Sequence, residues 1–70
     1  MQFSLLDSPM FLRIFEGARE ARGDPAIPLR YVAEALRRFE EGQLDIPRYP
    51  SGKPTLKGLY DSANALMAAT

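Results

Sequence analysis

The chain reads as an all-α protein, a small three-helix domain, and three observations carry that reading. Three stretches repeat apolar residues at i, i+3, i+4 and i+7, the spacing of a buried helical face. Proline stands at the start of each, and glycine follows the first two, as helix entry and exit favour. Seventy residues, of which 46% are hydrophobic, suffice for one domain (1–70) and no more.

The first helix is expected over residues 9–22. Ser8 suits the N-cap, Pro9 the first helical position, and Asp7 adds a favourable negative charge. Met10, Phe11, Ile14, Phe15, Ala18 and Ala21 form a wide apolar stripe, with Leu12 outside it beside Arg19. Arg13, Glu16, Arg19 and Glu20 take the other side. Gly17 stands mid-helix at a cost of about 1 kcal/mol relative to Ala. It either admits another helix closely or is merely tolerated. Ahead of this helix, Phe3, Leu5 and Leu6 are expected to form an apolar arm. The arm is read as extended against a helix, or as a short strand if an edge is available.

The second helix, 28–41, is the strongest. Pro28 is read as its first residue, and Gly42 as the left-handed residue past its end. Leu29, Val32, Ala33, Leu36 and Phe39 make the buried face, and Tyr31 and Ala35 widen it to about 200° of the helix circumference. The remaining strip holds Arg30, Glu34, Arg37, Arg38 and Glu41, whose i,i+4 pairs neutralise one another. The short connection Gly23–Ile27 predicts that the first two helices lie antiparallel as a hairpin.

A longer, Pro-rich linker follows over 42–53, with Pro47 and Pro50 inside it and Pro54 just beyond. Leu44, Ile46 and Tyr49 are expected to anchor it on the helices. The third helix is expected over 54–68, with Leu56, Leu59, Tyr60, Ala63, Leu66 and Met67 inward. Its other side is small: Gly58, Ser62, Ala65 and Ala69.

Composition excludes several functions. With no His and no Cys, ordinary zinc and haem sites are absent, and no D-x-[DN]-x-[DN]-G loop is present for calcium. No cofactor is implied. Nucleophile–base catalysis lacks its usual residues, and nothing pairs Glu40, Glu41 or Asp45 by spacing. The chain is therefore read as not an enzyme. Ser51-Gly52-Lys53-Pro54-Thr55 superficially matches a phosphate loop, but Pro54 stands where Ser or Thr belongs and no strand precedes it.

Nine basic residues balance nine acidic ones, which argues against a dedicated nucleic-acid or membrane-surface protein. No run is long enough to span a membrane, and the opening lacks the basic and apolar regions of a signal peptide. A cytoplasmic location is the resulting expectation.

A chain this short buries little, and with no disulfide or metal, self-association is the expected supplement. The apolar faces of the first two helices exceed what a pair can bury, so a homodimer through those helices is expected. A larger protein partner follows from the same surplus, making the chain an adaptor or inhibitor. Phe11, Leu12, Phe15, Tyr31, Phe39, Arg48 and Tyr49 are the candidate interface residues, by size and type. The competing reading is a nucleic-acid-binding regulator, with Arg48, Ser51, Lys53, Thr55 and Lys57 gathered at the start of the third helix as phosphate contacts. The linker is too long for a helix-turn-helix, which joins its helices by about three or four residues.

Overall fold

The computed structural model describes residues 5–70; Phe3 of the expected arm lies outside them. Among the described residues the chain is a 3-10 turn, Leu5–Asp7, and three helices: α1 (Pro9–Arg22), α2 (Leu29–Glu40) and α3 (Leu56–Ala68). No strand is present among them. The all-α reading holds.

The helix ends follow their capping chemistry. The Ser8 hydroxyl accepts a hydrogen bond from the Phe11 N–H at 3.2 Å, and Pro9 opens α1. Gly23, at φ 76°, closes it, and the Asp24 N–H returns to the Arg19 carbonyl at 3.1 Å. Gly42, at φ 77°, ends α2 in the same way, with the Gln43 N–H on the Arg38 carbonyl at 2.8 Å.

Two prolines sit outside the helices that the sequence placed them in. Pro28 keeps an extended ψ of 138° as the residue before α2, and its carbonyl accepts from the Tyr31 N–H at 3.0 Å. Pro54 is fully buried in an isolated antiparallel bridge with Arg48, so α3 starts at Leu56 instead. The Thr55 N–H donates to the Pro47 carbonyl at 2.8 Å and holds that bridge shut.

The described part of the arm is turned rather than extended. The Ser8 N–H bonds the Leu5 carbonyl at 3.0 Å, and the Leu5 N–H reaches Glu40 Oε2 at 3.2 Å. That pins the turn to the end of α2 and lays Leu5 and Leu6 against the core.

The close helix pair is α2 with α3, and the expected hairpin of α1 on α2 gives way to it. No Cα of α1 comes within 8 Å of a Cα of α2. Ala35, Leu36, Leu59 and Ala63 are fully buried between α2 and α3, and the two alanines leave room for the helices to approach. Val32, Phe39, Ile46 and Tyr60 complete this layer, and α1 adds only Phe11 and Phe15. The physical reason lies in Tyr60. Its hydroxyl donates to the Pro25 carbonyl at 2.7 Å, its ring lies 6.4 Å from that of Phe15, and Arg22 stacks over it at 5.6 Å. The end of α1 and its connection are thereby held on α3.

Two mid-helix glycines differ in what surrounds them. A Cβ on Gly58 would lie 2.7 Å from Ile46 Cγ2 and 2.7 Å from Thr55 Oγ1. The small residue thus admits the chain's own linker. A Cβ on Gly17 would meet nothing within 4 Å.

The two substitutions to Ala should therefore have opposite signs. Gly58→Ala is expected to destabilise by about 1–3 kcal/mol, because overpacking against buried Ile46 outweighs the helix-propensity gain. Gly17→Ala should stabilise the dilute protein by about 0.5–1 kcal/mol. Urea midpoints at low concentration check both, and a shift of the same sign in the two variants would contradict this packing.

Candidate interaction surface

The sequence-predicted interface residues divide into two groups. Phe11, Phe15 and Phe39 are 7%, 4% and 5% exposed, so their rings are spent on the chain's own core. Their size marked them as anchors in the sequence; their burial makes them internal ones. Leu12 and Tyr31 are half-buried, and Arg48 and Tyr49 are exposed.

Arg48 and Phe39 come together. The Arg48 guanidinium stacks 4.3 Å over the Phe39 ring, and its Nη1 donates to the Gly52 carbonyl at 3.1 Å. Arg48 thus covers the end of the core. Tyr49, 45% exposed, accepts a long hydrogen bond from the Leu56 N–H at 3.5 Å over the start of α3. Tyr31 marks the opposite end of the molecule, where its hydroxyl meets Thr70 Oγ1 at 3.3 Å and Arg30 lies 4.9 Å over its ring. The Thr70 bond, then Arg30, holds that phenol below its ordinary pKa.

The residues of the competing phosphate reading are gathered but partly occupied. The Tyr49 N–H bonds the Lys53 carbonyl at 2.9 Å and the Gly52 N–H bonds the Tyr49 carbonyl at 2.8 Å, closing a tight turn that carries exposed Ser51 and Lys53. Thr55 precedes α3 without a side-chain capping bond. Lys57 pairs with Asp61 at 3.2 Å, and Arg48 is engaged as described.

Separation of α1 from the start of α2 leaves a groove of about 340 Å³. Leu12, Phe15, Ile27, Leu29 and Val32 give it apolar walls, and Arg13 and Glu16 complete its lining. Such a surface suits apolar side chains better than a polar metabolite, which needs several convergent polar groups. Leu29, inward in the sequence reading, is 57% exposed in that groove, because it opens α2 at the edge of the core, three residues before buried Val32.

A second apolar surface lies on the far side of α1. Its expected stripe is split: Phe11 and Phe15 turn inward, while Met10 and Ile14 stay 66% and 51% exposed. Sequence reasoning joined these residues because they are contiguous on the wheel. It had no means of telling which half α3 would cover.

The charged strip of α2 behaves as its spacing suggests. Arg37 bonds Glu34 at 2.6 Å and Glu41 at 2.8 Å, and Arg38 bonds Glu34 at 2.7 Å. Arg30 instead turns to Tyr31. Arg37 first, then Arg38, lowers the Glu34 carboxyl to a pKa of about 2.

Among the described residues no three His, Cys, Asp or Glu side chains group as metal ligands, and no helix is long and apolar enough to cross a membrane. The chain matches no protein-family model, no curated protein and no solved structure, so the geometry alone carries the functional reading.

Two measurements test this surface map. Phe39→Ala is expected to cost about 3–5 kcal/mol as a core truncation, whereas Tyr49→Ala, at an exposed position, should stay within about 0.5 kcal/mol. Equal midpoints for the two variants would contradict the placement of Phe39. The Glu34 pairs should titrate as a depressed acid. Their stabilisation is fully present above the unfolded pKa of about 4.3 and is lost as pH falls through about 2. The stability difference between the wild type and Glu34→Gln should accordingly be small and constant above pH 5, and should shrink towards pH 2, as chemical denaturation at each pH will show.

Proposed function

We propose that this chain is a non-enzymatic protein–protein interaction module that binds and modulates a larger protein, and that it also pairs with itself. The observation that carries the reading is the open apolar groove between α1 and the start of α2, with exposed Leu29 at its edge. Apolar side chains of a partner would fill that groove and remove Leu29 from water, at a gain of about 25 cal/mol per Å² buried. A cytoplasmic setting fits a chain with no cysteine. The partly occupied basic cluster at Arg48–Lys57 gives the nucleic-acid reading less support.

Affinity capture from lysate of the source organism distinguishes the readings when wild type and Leu29→Glu are run side by side, with and without nuclease. We expect one dominant protein that survives nuclease and high salt and is lost with Leu29→Glu. Material removed by nuclease or by Lys53→Glu with Lys57→Glu, and weakened steeply by salt, would replace this reading with nucleic-acid binding.

A further inference from the structure

We infer that the outward face of α1 is the self-association surface, and that it takes a second copy of α1 in antiparallel register. The inference rests on the self-pairing proposed above and narrows it to one face, which shares only the flanking Arg13 with the groove.

Met10, Ile14, Gly17 and Ala21 fall within about 60° of one another at roughly 100° per residue. All four are exposed, Met10 and Ile14 at 66% and 51%. Two large side chains thus occupy the N-terminal half of the stripe and two small residues the C-terminal half. That order is self-complementary under a two-fold axis. An axis crossing α1 midway between residues 15 and 16 sets Met10 against Ala21 of the second copy, and Ile14 against Gly17. Each large side chain meets a small one, twice, as an isologous interface requires.

Gly17 supplies the second argument. An exposed mid-helix glycine weakens its helix, and here nothing among the described residues occupies the space where a Cβ would stand. Against a second α1 the bare backbone becomes the seat for Ile14, and the helices can approach at the close end of the usual 8–10 Å.

Charge supplies the third. Arg13 and Glu20 lie on the same flank of the stripe, and the two-fold axis brings that flank against itself. In this register Arg13 and Glu20 of the second copy are offset by only about 3 Å along the axis. Arg13 has no ion pair or hydrogen bond among the described residues. Among the described residues the Glu20 carboxylate reaches only Arg19, at 3.3 Å, and Arg19 is bonded more closely to Glu16. Both charges are therefore available, and two equivalent cross-helix pairs form per dimer. A 14-residue helix is about 21 Å long, so the contact falls below the roughly 1,200 Å² of a standard interface. The dimer is accordingly a concentration-dependent one.

Sedimentation equilibrium from low micromolar to millimolar concentration tests the pairing, using wild type, Gly17→Gln, Arg13→Glu, and Arg13→Glu with Glu20→Arg. Gln is a better helix residue than Gly and meets open space in the monomer, so Gly17→Gln should keep or raise the dilute thermal midpoint. It should also weaken association by roughly tenfold or more, by blocking the Ile14 seat. Arg13→Glu should weaken association and the double swap should restore it. A wild-type dimer indifferent to Gly17→Gln would leave self-association standing and overturn this face as its site. A dimer weakened by Gly17→Gln but not restored by the charge swap would overturn the antiparallel register. A strict monomer at millimolar concentration would overturn both the face and self-association, without touching the groove.

Discussion

The seat of Ile46 on the bare backbone of Gly58 is the contact on which the rest of this structure depends. It draws the segment after α2 back across the start of α3, where Pro54 is buried and bridged to Arg48. That bridge places the Arg48 guanidinium over Phe39, closing the end of the core at a point where α2 and α3 alone would leave an aromatic ring in water. With Leu36, Ile46, Leu59 and Pro54 all essentially without exposure, α2, the linker and α3 make up the packed unit. Each of the Leu and Ile side chains taken wholly out of water is worth about 1.5–3 kcal/mol, which matters in a chain with no disulfide.

α1 is laid onto that unit at one side. Tyr60 takes hold of it three ways, through the Pro25 carbonyl, the Phe15 ring and the Arg22 guanidinium. This grip faces α3, and between α1 and the start of α2 the groove lined by Leu29 stays open. The surface charges meanwhile are largely consumed close to home: Glu34, Arg37, Arg38 and Glu41 on one strip, Arg22 with Asp24, Lys57 with Asp61. The large apolar side chains left exposed among the described residues are Met10, Ile14, Leu29 and Tyr49.

Much of this was legible in the sequence, and the limits have physical causes. The bounds of α1 were readable because Ser8, Pro9 and Gly23 act locally, through groups a few residues away. Leu36, Leu59, Tyr60 and Ala63 were recognisable as core from helical periodicity. The pairing of helices was not recognisable, since loop length favours a hairpin while the decisive contacts, Tyr60 on Pro25 and Ile46 on Gly58, join residues far apart in the chain or across a linker. Pro54 was misplaced for a related reason: proline suits a helix start equally as well as a bridge, and only the Pro47 carbonyl accepting from the Thr55 N–H selects the bridge. Size misled at the interface. Phe11, Phe15 and Phe39 have the composition of binding anchors, but a small core claims its aromatics first, and the open positions fell to Met10, Ile14 and Leu29.

The account's central claim is that α2, the linker and α3 form one cooperative unit on which α1 is a lighter addition. Native-state hydrogen exchange, followed residue by residue at rising denaturant, addresses it most directly. The account predicts that amides of Leu36, Leu59 and Ala63 exchange only through global unfolding, while those of α1 open at a lower free energy and as a separate group. Protection of α1 equal to that of α2, with the two merging into one opening unit ahead of α3, would contradict it and restore the α1–α2 hairpin as the organising pair.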